Sequence, residues 1–341
     1  MLEEFQGLRD ARAARAAAPG ADADGLRRAY LELLKLALCD LTGATTVSVG
    51  KLEDGSVASR ELAGADLRLR AAGMDWPRQG LTMVGLNRLD DLQARVESVV
   101  RDGVDGDLIE AGAWRGGASI LMRATLDTLD ALDRELWVAD SFQGFPEPDR
   151  QKGLSAADYL AVSLEEVKSN FARFGLEHGV TFVPGFFEDT MSELAGRRWA
   201  VVRLDGDTYE ATWLTLHSLY PSLSVGGHLI VDDYGALEEC RRAVDEFRAR
   251  YGIEEPLERV DWTCVGWRRQ SESTIEPFEP AKEGQPQRAE RAVRPVARDR
   301  DLHVPSEREL ELRLELERLR REPLAVPLDW VRGKLRRGRA R

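Results

Sequence analysis

The sequence predicts an α/β fold: a doubly wound, seven-stranded mixed sheet with helices on both faces, N-terminal helical additions and a charged C-terminal tail. From residue 107 onward, short apolar runs ending in acids alternate with helical patterns, the arrangement of βα units around a parallel sheet. The first run, Asp107-Leu108-Ile109-Glu110, passes through Ala111-Gly112-Ala113-Trp114-Arg115-Gly116-Gly117 straight into an apolar helix. Two later runs end in aspartate pairs, Asp205-Gly206-Asp207 and Asp232-Asp233.

Size and composition narrow the function classes. A chain of 341 residues makes one large or two modest domains with a sizeable core. Its formal charge of -12 argues against general affinity for nucleic acid or anionic membrane. Cys39, Cys240 and Cys264 are too scattered for a disulfide framework or a Cys-based zinc site, so a reducing cytoplasm is expected. No leader pattern opens the sequence, and no apolar run reaches the length of a membrane span.

Residues 1–29, rich in Ala and Arg and broken by Pro19-Gly20, read as a frayed terminus. Leu31, Leu33, Leu34, Leu36, Leu38 and Leu41 then predict an apolar helix that covers the core or makes a dimer contact. No element is assigned from there to about residue 72. Asp75-Trp76-Pro77 leads into an entry segment, 81–86, that should wall a ligand pocket, and into a helix over 89–101. Beyond the first core strand the pattern gives a helix over 120–132, a strand over 136–140, and a long irregular connection, 141–159, placed as a lid. A helix over 164–174 follows, then strands over 180–184, 199–204 and 228–231, the last two joined by a crossover helix over 212–223. A helix over 237–251 and two edge strands, 257–260 and 263–268, complete the core. Residues 270–305 have the composition of a disordered linker. Beyond them, 307–321 reads as a charged helix or short coiled coil. The basic end, Arg332 to Arg341, is a solvated tail or a peripheral contact with an acidic partner or anionic lipid.

The acid-ended strand and its glycine turn bring backbone N–H groups and the positive end of a helix dipole to a ligand, with Gly112 and Gly116 clearing side chains away. A nucleotide-like cofactor suits such a turn, and a plain structural βα turn is the competing reading. Trp114 replaces the middle glycine of the dinucleotide fingerprint and weakens a nicotinamide assignment. Glu110 suits a cofactor bearing hydroxyls or positive charge. Asp140, ending the second strand, is placed to accept from both ribose hydroxyls or is satisfied by water. Phe186 and Phe187 can hold an adenine ring. Strands joined by a crossover helix run parallel, so Asp205, Asp207, Asp232 and Asp233 converge on the edge where Glu110 and Asp140 point. Like charges so close repel and raise one another's pKa unless a cation lies between them. Oxygen-only donors select a hard ion, Mg²⁺ first, with Mn²⁺ or Ca²⁺ as substitutes. His217 and His228 read as structural.

Thr82-Met83-Val84-Gly85, the Asp107–Ala118 stretch, Ala139-Asp140-Ser141-Phe142, Leu204-Asp205-Gly206-Asp207, Val231-Asp232-Asp233-Tyr234-Gly235 and Asp261-Trp262-Thr263 together resemble the macrocin O-methyltransferase family, over roughly residues 30–269. The resemblance implies a Rossmann-like class I methyltransferase using S-adenosylmethionine. Its reaction would be Mg²⁺-assisted methylation of a sugar hydroxyl, on a natural product or polysaccharide with vicinal hydroxyls, by a homo-oligomeric enzyme. It further implies Asp205, Asp232 and Asp233 as metal ligands and Asp207 as base. Met83, Glu110, Gly112, Gly116, Ser119, Asp140, Ser141 and Asp189 would line the cofactor site. Two alternatives stay open: a metal-dependent glycosyltransferase built on Asp205 and Asp207, and a non-catalytic binding module of the same fold. The glycine turn and then Asp140, both ahead of the aspartates, are the order found in methyltransferases.

Overall fold

The computed structural model describes residues 22–51, 57–146 and 159–275. Most of the expected lid, the linker beyond 275, the charged helix over 307–321 and the basic end lie outside the described residues, as do residues 1–21.

Helix α1 (Ala23–Leu38) starts inside the stretch expected to fray, because Asp22 caps it by accepting from the Gly25 N–H at 2.8 Å. The stretch left unassigned forms a hairpin, β1 (Thr45–Lys51) with β2 (Val57–Ala63), then α2 (Leu67–Ala71) and β3 (Trp76–Pro77), which completes a three-stranded sheet. Its organiser is polar, which is why the apolar pattern gave no sign of it. Arg70, 1% exposed, forks onto Asp75 and also donates to Thr46 Oγ1 and to the carbonyls of Cys39 and Val47. Helix α3 (Gly85–Arg101) buries Leu86, Leu89, Leu92, Val96 and Val99 on one face.

The main sheet holds β4 (Asp107–Ala111), β5 (Leu136–Asp140), β6 (Val180–Pro184), β7 (Trp199–Leu204), β8 (Leu223–Val231), β9 (Glu258–Arg259) and β10 (Val265–Arg268) in the order β6-β5-β4-β7-β8-β10-β9. Strands β4 to β8 are parallel; β10 runs antiparallel to β8 and β9 antiparallel to β10. The connecting helices are α4 (Gly117–Thr128), α5 (Leu164–Phe174), the single-turn α6 (Phe187–Thr190), α7 (Tyr209–Leu219) and α8 (Glu238–Tyr251). Strand β8 begins earlier than expected. Its Gly226-Gly227 pair serves a register shift against β7, where a Cβ on Gly227 would lie 2.7 Å from the Ala200 carbonyl oxygen. Because β5 and β6 lie on one side of β4 and β7 and β8 on the other, the winding reverses between β4 and β7. That reversal opens a crevice at their carboxyl ends. Trp199, Trp267, Tyr220 and Phe247, all fully buried, belong to the hydrophobic core of this sheet.

Candidate active site at the carboxyl edge of the sheet

Parallel register sets the acids level with one another. Glu110 pairs with Arg203, and Arg203 with Ile230. The ladder runs one step past the strands, the Asp205 N–H donating to the Ala111 carbonyl at 2.8 Å and the Asp232 N–H to the Leu204 carbonyl at 2.9 Å. Of the five described non-glycine residues with positive φ, three stand at this edge: Trp114 after β4, Phe142 after β5 and Asp207 after β7. An L-residue in that region is strained by roughly 1–2 kcal/mol, and such strain gathers at working sites.

The acids divide into a rim and a floor. Asp205, Asp207 and Asp233 form the rim, with one carboxylate oxygen from each lying within 4.8 Å of the others. Burial first, then the charges of Asp205, Asp232 and Asp140, push Asp207 up to about 8. Burial and the neighbouring Asp207 and Asp205 hold Asp233 well above the carboxylate range, and its Oδ2 is buried with no hydrogen-bond partner. Asp205 is raised by burial and Asp232, opposed by Arg203. Three crowded carboxylates, one of them with an orphaned oxygen, fit a hard divalent cation.

The floor is neutralised from within. Arg203 donates through Nη1 to Glu110 Oε1 at 2.6 Å and to Asp205 Oδ2 at 2.9 Å, and through Nη2 to Asp232 Oδ1. Arg88 binds the other Asp232 oxygen, Oδ2, and pairs with Asp261 at 3.0 Å. Asp232, expected beside the rim acids, therefore has a guanidinium on each oxygen. Glu110, expected to face the cofactor, is 1% exposed and accepts from Ser119 as well as Arg203, which places both Glu110 and Ser119 beneath the crevice. Burial raises Glu110 to about 7 against the pull of Arg203. Sequence reasoning missed both arginines, although an arginine inside the apolar run Trp199–Leu204 was a signal that a buried counter-charge waits beside it.

The cofactor-side residues are also partly engaged by the protein. Asp140 Oδ2 accepts from the Ala113 and Trp114 N–H groups at 2.9 and 3.0 Å, and Oδ1 from the Phe142 N–H at 2.8 Å, so it braces the glycine turn. Ser141 donates to the Gly144 carbonyl at 2.6 Å. A Cβ on Gly112 would lie 1.8 Å from the Asp205 carbonyl oxygen, and one on Gly116 would meet Val167 and Phe171. The room these glycines leave is thus filled by protein, and they serve close packing of the turn. Met83, half-buried, stands on the strap between β3 and α3. This strap lies against the start of α4, where the Gly117 N–H donates to the Leu81 carbonyl at 3.0 Å. Asp189 is exposed on α6, behind Phe186 and Phe187, whose ring borders Gly206. Trp76 stacks on Tyr159 with centroids 5.3 Å apart, and Arg115 lies 4.2 Å over Trp114 while holding the carbonyls of Pro77, Arg78 and Gly80. This clasp ties β3 and the segment before α5 to the glycine turn.

The chain is similar in sequence and fold to known proteins. The family model described as macrocin-O-methyltransferase (TylF) matches residues 27–269. A Streptomyces olivaceus 8-demethyl-8-(2,3-dimethoxy-α-L-rhamnosyl)-tetracenomycin-C 4'-O-methyltransferase is 46% identical over 256 residues, covering 72% of this chain and 95% of the relative. The mycinamicin III 3''-O-methyltransferase of Micromonospora griseorubida is 42% identical, covering 70% of this chain and 96% of the relative. The solved structure of the O-methyltransferase NovP superposes with a TM-score of 0.63 at 40% identity, covering 72% of this chain and all of NovP. With the same fold, and with identity far above chance along nearly the full length of these relatives, the chain belongs to the macrocin O-methyltransferase family and is an O-methyltransferase.

Proposed function

We propose that this enzyme transfers the methyl group of S-adenosylmethionine to a sugar hydroxyl of a small natural product, with Mg²⁺ held at the acid rim. The observation that carries the proposal is the convergence of Asp205, Asp207 and Asp233 beside the β4–α4 turn. The family's activity and the sugar named in the tetracenomycin relative support the acceptor class.

Asp205 and Asp233 are assigned as ligands. Asp232 joins them through lone pairs that its arginines leave free, since an ionised carboxylate offers about four acceptor sites and two are in use here. A divalent cation held there would supply Lewis acidity, which lowers the pKa of an acceptor hydroxyl. The chain's own residues do the rest. Methyl transfer is an in-line displacement at carbon, so the protein must align an oxygen and take its proton. Asp207, inside the rim, is assigned as that base. Its raised pKa reflects burial and then uncompensated neighbours, and a cation offsets the second of these. Met83, Gly112, Gly116, Asp140, Ser141 and Asp189 are assigned to the cofactor wall, with Glu110 and Ser119 bracing it from below. Phe186 and Phe187 exclude water from the adenine end.

Calorimetric titration with S-adenosylhomocysteine, with and without Mg²⁺, beside a nucleoside diphosphate panel, tests this reading. S-adenosylhomocysteine should bind, and methylation of sugars with adjacent oxygens should fail in EDTA. Binding of a nucleoside diphosphate alone, and only with metal, would replace the proposal with a glycosyltransferase. Full activity in EDTA, or in Asp205→Asn, would remove the metal.

A further inference from the structure

The floor beneath the rim carries one more assignment. Arg203 lies on a strand buried on both faces, is 3% exposed, and touches acids from three strand ends at once: Glu110 of β4, Asp205 beyond β7 and Asp232 beyond β8. Its bond to Asp205 takes Oδ2 alone, at 2.9 Å. Among the described residues it is the only cation within salt-bridge distance of a rim acid. Arg88 stands one step further back. It holds Asp232 from the opposite side, pairs with Asp261 and donates to the Gly73 carbonyl at 3.1 Å, where a side chain on Gly73 would collide with it.

We propose that Arg203, backed by Arg88, is a positioning residue for metal binding: its planar fork fixes the orientations of Asp205 and Asp232 and so sets the ligand geometry at the rim. The inference deepens the reading of the rim as a divalent-metal site and rests on it. Two physical effects of Arg203 on a dication have opposite signs. Its charge repels the cation, which weakens binding, whereas its fork preorganises two carboxylates that would otherwise turn away from each other, which strengthens it. The geometry places the fork in command, because one guanidinium carries bonds to three carboxylates and a lysine ammonium has no planar equivalent.

The sign of a single substitution decides between the two effects. Mn²⁺ binding is followed by electron paramagnetic resonance in the full-length wild type, Arg203→Lys and Arg203→Met, with metal-free S-adenosylhomocysteine binding as the check on folding. The Mn²⁺ Kd should rise about tenfold or more in both variants, the range seen when a group that orients a metal ligand is lost. Metal-free S-adenosylhomocysteine binding should weaken less than Mn²⁺ binding, because Arg203 reaches the cofactor wall only through Glu110 and holds two acids of the metal site directly. An unchanged or tighter Mn²⁺ Kd in Arg203→Lys or Arg203→Met overturns the assignment: charge would then be the whole effect. If neither variant binds S-adenosylhomocysteine, Arg88→Lys decides, with about a threefold weaker Mn²⁺ Kd expected from its more remote place in the same network and an unchanged Kd counting against it. A wild type that binds no Mn²⁺ defeats the metal reading itself, a result distinct from all of these.

Discussion

The rim and the floor of this site are both built of carboxylates gathered at one edge of the sheet, and the protein treats them oppositely. Glu110, Asp232 and Asp261 are each met by a guanidinium or by backbone N–H groups, so their charge is opposed from within the protein, although burial still raises Glu110 and Asp261. Asp207 and Asp233 have no cation within reach among the described residues, and burial with the charge of neighbouring carboxylates pushes both upward. Compensated acids hold a fold together, whereas uncompensated ones destabilise it and are kept for the work they do. The contrast teaches that an acid's role here is set by whether a cation is built in beside it or has to be brought.

The largest effect should come from the rim. Asp207→Asn should lower turnover by about 10²- to 10⁴-fold, the contribution of a general base, with a smaller loss of Mg²⁺ affinity. Steady-state methylation across an Mg²⁺ series measures both, and wild-type turnover would end the role of base. On the floor, Glu110→Ala should cost about 3 kcal/mol in urea unfolding, because Arg203 keeps its burial and loses a partner. A cost below about 0.5 kcal/mol, the ordinary range for surface changes, would erase the distinction between the two regions.

The pH response sharpens the contrast further. Asp207, held at about 8, and Glu110, held at about 7, bind protons in the folded state that they would release when unfolded. Their contribution to stability is therefore complete below their unfolded pKa values and is lost as pH rises through about 7 to 8. Metal-free protein should melt at lower temperature at pH 8.5 than at pH 5.5. Mg²⁺ should flatten that slope, and Asp207→Asn should flatten it without metal. A slope unchanged in that variant would show that Asp207 does not carry it. The smallest effect belongs to the exposed wall. Asp189→Ala should leave melting unchanged and weaken S-adenosylhomocysteine by about tenfold, the value of a charge-assisted hydrogen bond.

Much of this was legible in the chain. Acid-ended apolar runs, the glycine turn and the paired aspartates gave the parallel strands, the edge on which they open and the convergence of carboxylates there, because strand direction and crossover handedness leave few alternatives. Helix α1 was legible only from residue 30 on, since its first turn is polar and rests on the Asp22 cap. The small sheet was invisible, because its stability is invested in Arg70 and its hydrogen bonds rather than in an apolar period.

The tertiary structure alone decided which acids stand at the rim and which lie below it. Asp232 and Asp233 are adjacent and chemically identical, yet one faces Arg88 and Arg203 while the other keeps a buried, unpartnered oxygen. Periodicity can place a side chain on a face or an edge; it cannot say what side chain from a distant part of the chain meets it there. Arg88 reaches Asp232 across 144 residues of sequence, and that meeting exists only once α3 has packed against the sheet.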